Sequence, residues 1–222
     1  MVTQSQRLQS GQWLSRKEYH VIYEQMPEDF RAELVGGIVY VETRTKVQHG
    51  ANCVLFGVAL LTYENATLGT ESSSCTTVLL DEFNEPEPDL LLRICPEFGG
   101  QSTTTADDYL QGPPELIVEV SVSSQSIDFG AKHREYVAAG LKEYLVLNLQ
   151  DRRLHWFDLT SDRELSPEAD GVYRIRTFPG LWIDSTALLA RDLRRLLTVL
   201  DIGLATPEHA AFVTQLAAAK KP

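Results

Sequence analysis

The sequence predicts a single α/β domain in which a mixed central β-sheet is covered by helices, and three observations carry that expectation. The runs "PDLLLRI", "ELIVEVS", "EYLVLNL" and "RLHWFDL" are short, apolar and strand-like. Between and around them lie segments whose apolar residues recur at steps of three and four, as on one face of a helix. Strand-like and helix-like segments also alternate along the chain instead of forming separate blocks, which favours one layered α/β unit.

The elements follow in order. Ser15 and Glu18 form a Ser-x-x-Glu capping box ahead of "YHVIYEQM", predicting a helix of about three turns closed by Pro27. "AELVGGIVYVE" reads as a strand broken by Gly36-Gly37, which suits a tight hairpin turn or a bulge. From Val47 to Tyr63, the residues Val47, Ala51, Val54, Leu55, Val58 and Leu61 predict a helix packing that face inward. Three strands are then expected in "SSSCTTVLL", "PDLLLRI" and "ELIVEVS", with a surface excursion over residues 96–114. "DFGAKHREYVAAG" reads as a helix with Asp128 suited to its N-cap and Gly140 closing it. "EYLVLNL", a turn at Asp151 and "RLHWFDL" make a hairpin, and "VYRIRTF" and "LWI" offer edge strands. Asp184 and Ser185 can cap "TALLARDLRRLLTVL", and Thr206-Pro207 can open a last helix. The expected organisation is an arm over residues 1–14, a principal domain over 15–200, and a helical tail over 201–222 that can pack on a partner chain.

Composition narrows the class. A chain of 222 residues with 43% apolar and 23% charged content fits a globular protein of one domain with elaborations. No apolar run reaches the roughly 20 residues that cross a bilayer, and "MVTQSQRLQSGQWLS" lacks the apolar centre of a secretory signal, so a soluble, cytoplasmic protein without membrane partners is expected. Cys53, Cys75 and Cys95 show no paired spacing and read as buried free thiols. A formal charge of −11 argues against a surface coated with basic residues for nucleic acid, although it leaves room for a local basic groove.

The chemistry is concentrated in a few acids and one lysine. Glu119 lies inside the apolar run "LIVEV", where an unpartnered carboxylate is costly. Asp89, thirty residues earlier, precedes another apolar run, so two neighbouring strands could bring both carboxylates to one ion. Hard divalent cations such as Mg²⁺ take oxygen ligands of this kind. The competing structural reading gives Asp89 a turn-capping role after Pro88 and gives Glu119 a salt bridge, for instance to Arg134. Lys132 follows one turn into the next helix, from which its ammonium can return over the strand ends.

Taken together, Pro88-Asp89, then "ELIVEVS" with Ser124, then Asp128-x-x-x-Lys132, Tyr136, Gly140 and Glu143-Tyr144 resemble the Uma2-type endonuclease family (DUF820) of the PD-(D/E)XK superfamily. The resemblance extends over about residues 15–197, including "FPGLWID" near its end. It implies a restriction-endonuclease-like fold: a mixed central sheet flanked by helices, with additional edge hairpins and C-terminal helices. It also implies Asp89 and Glu119 as metal-binding acids, Lys132 as the catalytic lysine displaced from position 121, where this chain has Ser, and Glu33 as a further acid that adds a ligand or orients water. His49 matches a family position without a derivable role. Glu87 and Ile38 depart from the family's usual Arg and Glu, and the first reverses a charge beside the proposed site.

The function implied is Mg²⁺-dependent hydrolysis of phosphodiester bonds, with Mn²⁺ as a possible substitute and DNA as the substrate, in a chain that pairs as a homodimer. The alternative class is a catalytically silent nuclease-fold module that binds protein through its acidic surface. None of the five histidines shows metal-ligand spacing, and surface or packing roles suit all but His49; Ser121, Ser123 and Ser124 lack a GxSxG setting, and Gly36-Gly37 lacks a phosphate-loop context. The basic residues between Lys132 and Arg176 read first as solvated charge pairs, and the three tryptophans as packing residues.

Overall fold

The computed structural model describes residues 7–42 and 45–221; residues 1–6 of the N-terminal arm lie outside the described residues. Helix α1 (Arg16–Tyr23) opens on the capping box, with Ser15 Oγ accepting from the Glu18 N–H and the Glu18 carboxylate accepting from the Ser15 N–H. Strands β1 (Ala32–Val35) and β2 (Ile38–Val41) form the glycine hairpin. Gly36 and Gly37 have φ of +59° and +76°, the pair of left-handed residues a tight two-residue turn needs. A Cβ on Gly37 would also fall 2.6 Å from Trp13 Nε1.

After α2 (Val47–Ala66) come β3 (Thr70–Ser74), β4 (Val78–Leu79) and β5 (Leu90–Ile94). The excursion holds a short 3₁₀ turn, β6 (Thr103–Thr104) and β7 (Leu110–Gln111), and the two strands join β4 in a small sheet. Next are β8 (Leu116–Ser121), a π-helical turn over Ile127–Lys132, α3 (His133–Ala139), β9 (Glu143–Asn148), β10 (Arg153–Asp158) and β11 (Arg163–Leu165). The chain closes with β12 (Val172–Arg174), β13 (Trp182–Asp184), α4 (Ser185–Ala190), α5 (Leu193–Leu204) and α6 (Pro207–Ala219).

The central sheet has the order β11-β10-β9-β8-β5-β3. Only β8 and β9 run parallel, joined through α3, so the sheet is mixed as the sequence predicts. Alternation along β8 separates two cores. Leu116, Val118 and Val120 face α2 and α4 to α6, meeting Phe56, Leu60, Tyr63, Leu196 and Phe212. Ile117 faces the other side, with Tyr136 and Leu141 around α3 and with Tyr144 and Val146 of β9. A third cluster ties Leu8, Leu14 and Tyr19 to the β1–β2 hairpin. On α6, Phe212 and Leu216 are buried in the main core of their own chain.

Several local expectations are corrected. Of the residues expected to face inward on α2, Leu55 is buried, but the helix otherwise turns a different face inward: Asn52, Phe56, Ala59, Leu60 and Tyr63 are buried, while Val47, Val54 and Leu61 are 89%, 70% and 59% exposed. Both faces are apolar, so periodicity alone could not choose between them. The long helix anticipated after Asp184 is two helices, because Arg191 adopts a left-handed φ of +56° and Asp192 caps a new start by accepting from the Arg195 N–H. Strands β12 and β13 pair with each other instead of extending the central sheet, whose edge is β11. Asp128 is not an N-cap: it sits within the π-helical turn, buried, and accepts from Ser124 Oγ at 2.5 Å. The three cysteines are free, but Cys53 and Cys95 are half-buried and Cys75 is exposed. No single helix among the described residues is long and apolar enough to cross a membrane.

Candidate active site

Asp89 immediately precedes β5, whose Leu90 pairs with Val118 of the antiparallel β8. Extending that register by one residue sets Asp89 beside Glu119. The pairing is visible in two contacts: Asp89 Oδ2 accepts from the Val120 N–H at 2.7 Å, and Glu119 Oε2 lies 3.5 Å from the Asp89 N–H. Both acids therefore converge at one end of the sheet. Glu119 is 5% exposed, so this carboxylate is held where water can do little to stabilise its charge.

The ammonium comes from the helix, as the Ser at 121 implied. Ser121 lies two residues along the strand from Glu119 and is fully buried, its Oγ 3.5 Å from Ser124 Oγ. The π-helical turn widens the start of the helix and swings Lys132 back over the strand. Its Nζ donates to Glu119 Oε1 at 2.8 Å and lies 2.8 Å from Glu33 Oε2. The buried Glu33 carboxylate is thus partnered by the same ammonium, whose charge and hydrogen bond work against the effect of burial on it. Tyr136 Oη donates to Glu119 Oε1 at 3.4 Å. The β1 strand bearing Glu33 is fixed by Asn84, whose Oδ1 accepts from the Gly36 N–H and whose amide donates to Glu135 in the first turn of α3. The structure thus brings Glu33, Asp89, Glu119 and Lys132 together, and the proposed Glu119–Arg134 bridge is replaced by the lysine.

His49, to which no role could be assigned, lies on the first turn of α2 with Nε2 3.1 Å from Asp89 Oδ1. Cys53, one turn further on, places Sγ 3.5 Å from His49 Nδ1. Suitably chosen atoms of His49, Cys53 and Asp89 all lie within 4.8 Å of one another. The signal that could have found this trio is the four-residue step between His49 and Cys53, which puts both on one helix face. Burial pushes the Cys53 thiol up, so it is no ready nucleophile.

The electrostatics are unbalanced. Burial would lower the Lys132 pKa, but Glu119 and Glu33 hold it well above its ordinary value, so it is charged. One ammonium does not compensate two buried carboxylates. Burial still pushes Glu119 well above the usual carboxylate range, against the pull of Lys132, and raises Glu33 likewise. Burial would also raise Asp89, but the hydrogen bond and charge of His49, with the Val120 N–H, hold it below its usual value. The Asp89 hydrogen bond correspondingly raises His49. Glu87, at the family's Arg position, is mostly buried, 3.8 Å from Arg31 Nε, and raised by burial.

The mixed sheet flanked by helices, with two acids at the end of an antiparallel strand pair and a lysine from the following helix, can be compared with known proteins. The profile of the Uma2 family, described as "Putative restriction endonuclease", matches residues 17–190, and the chain belongs to that family. A solved structure described as a "putative nuclease belonging to DUF820 from Anabaena variabilis" is similar in fold, with a TM-score of 0.58 at 10% identity over 81% of this chain and 97% of that one. No curated protein matches the chain.

Proposed function

We propose that this chain is a divalent-metal-dependent endonuclease acting on DNA, with Asp89 and Glu119 as metal ligands and Glu33 and Lys132 completing the site. The observation that carries the reading is the charge imbalance. Glu33, Asp89 and Glu119 against Lys132 leave an excess of negative charge in a poorly hydrated place: one charge when the raised His49 carries its proton, two when it does not. The donor set fits a hard cation, since among the described residues Glu119 Oε2 has one long contact to a backbone N–H and Asp89 Oδ1 has one partner, His49. Mg²⁺ or Mn²⁺ held there would polarise a scissile phosphate and lower the pKa of an attacking water.

The chain's own residues supply the rest. Lys132, positively charged and held by two carboxylates, offers its ammonium to charge developing on the phosphate oxygens. Glu33, on the far side of the Lys132 ammonium, positions that group and, in this reading, a water beside it. Tyr136 and the Val120 N–H keep the two acids in position. His49 steadies Asp89 from the α2 side.

A second reading, the catalytically silent module, draws on Glu87 beside the site and on the formal charge of −11. The two separate in an assay with supercoiled DNA, linear single strands and RNA, each with Mg²⁺, with Mn²⁺ and with chelator. Chelator-sensitive cleavage of DNA in preference to RNA is expected. Preferential cleavage of RNA would overturn the substrate assignment, and intact polymers throughout would favour the silent module.

A further inference from the structure

We propose that the outer face of α2 is the interface between two copies of this chain, packed antiparallel about a two-fold axis. Val47, Ala51, Val54, Val58, Leu61 and Asn65 follow one another along α2 in alternating steps of four and three. That is the repeat by which one helix seam packs knobs into holes against another. Among the described residues nothing covers this seam: Val47, Val54 and Leu61 are 89%, 70% and 59% exposed, Ala51 and Val58 are half-buried, and Leu68, just past the helix end, is 63% exposed. The opposite face of the same helix fills the core with Phe56, Leu60 and Tyr63. A helix apolar all round belongs in an interior, and here half of that interior is missing.

A second copy is the occupant these residues favour. The seam runs about 30 Å along a 20-residue helix and bears no charge. The helix's only acid, Glu64, is turned away to accept from the Ser72 N–H at 2.7 Å. An uncharged strip is the contact that two molecules each carrying −11 can share with least repulsion, whereas a foreign partner would find no charge to recognise. The helix ends set the direction. The first turn of α2 has no acidic residue and no side-chain cap, and its last turn has no basic residue. Both ends of its dipole are thus uncompensated, and an antiparallel copy offsets both at once. Such a contact is self-complementary and closes as a dimer. Asn65, within the seam, penalises slipped registers in which its amide would face apolar side chains alone.

The inference is independent of the nuclease reading, and its test does not measure cleavage. Sedimentation of the full chain over a dilution series should give twice the chain mass. The doubly substituted Val54→Lys, Leu61→Lys protein should sediment at the single mass with an unchanged far-UV spectrum, because both side chains face solvent. Oxidative cross-linking settles the matter should that variant misfold. Val58→Cys, near the seam's midpoint, should form a covalent dimer above the background of the parent cysteines. Val47→Cys, at one end, should not. A parent that sediments as a monomer overturns the proposal, whether or not it then binds lipid vesicles or another protein. A dimer that survives both lysines overturns it too, and equal cross-linking at positions 47 and 58 overturns the antiparallel arrangement.

Discussion

Glu119 shows how one residue can be poorly placed for stability and well placed for chemistry. Its carboxylate shares a single ammonium with Glu33, and burial raises both above the usual range. A carboxyl whose folded pKa is raised keeps a proton that the unfolded chain, with a value of about 4.3, releases. The folded state therefore loses stability as pH rises from about 4.3 through the folded pKa. Lys132 adds no slope there, because its raised pKa keeps it charged until well above neutrality. Glu119→Gln should accordingly be more stable than the parent without metal, by about 0.5–2 kcal/mol at neutral pH. The gain should grow as pH rises from the ordinary carboxylate range through the raised folded pKa of Glu119 and vanish below that range. Thermal melts across that range check both sign and slope, and a variant less stable than the parent at neutral pH would show that Lys132 already balances the pair. Asp89 and Glu119 stood out in the sequence as acids beside and within apolar runs, and Lys132 as a cation one turn into the next helix, whereas Glu33 was reached only through the family resemblance. The contacts of His49, Cys53 and Tyr136 were not legible, because these residues sit on helices where polar residues are ordinary and meet the acids only when the sheet end closes on them.

Among the elements, those with a local chemical cause were legible and those decided by packing were not. The Ser15–Glu18 box, the Gly36-Gly37 turn, the Gly140 stop and the Thr206-Pro207 start each have a local reason. The inward face of α2 does not, because two apolar faces compete and only the sheet chooses between them. The break between α4 and α5 was written in "ARDLRR", where Asp192 starts a helix and Arg191 accepts a left-handed turn, but the continuing apolar periodicity masked it. Asp184 governs this region. Its Oδ1 caps α4 by accepting from the Ala187 N–H at 2.9 Å, and its Oδ2 accepts from Arg195 Nε at 2.6 Å, with the residue 1% exposed. Asp184→Asn, which can keep the cap, should lose less than Asp184→Ala, which forfeits cap and ion pair and should cost about 2–3 kcal/mol. Equal denaturation midpoints for the two variants would mean that the cap contributes nothing.

At the scale of the molecule, net charge and function pull in opposite directions. A chain of formal charge −11 repels a polyanion, and Lys142, Arg153, Arg174 and Arg176 are each paired with a carboxylate, at 3.8, 2.8, 2.7 and 3.4 Å respectively. The proposed endonuclease consequently depends on its cation for attraction as well as for catalysis. The central claim is that Asp89 and Glu119 together make the cleaving centre. It is tested most directly by cleavage of DNA in Mg²⁺ by the parent, Asp89→Asn and Glu119→Gln, each first shown to be folded by its melt. Because Glu119→Gln should melt no lower than the parent, lost activity could not be ascribed to unfolding. A fall of about 100-fold or more in both variants is the predicted result; cleavage by either at the parent's rate would contradict the account.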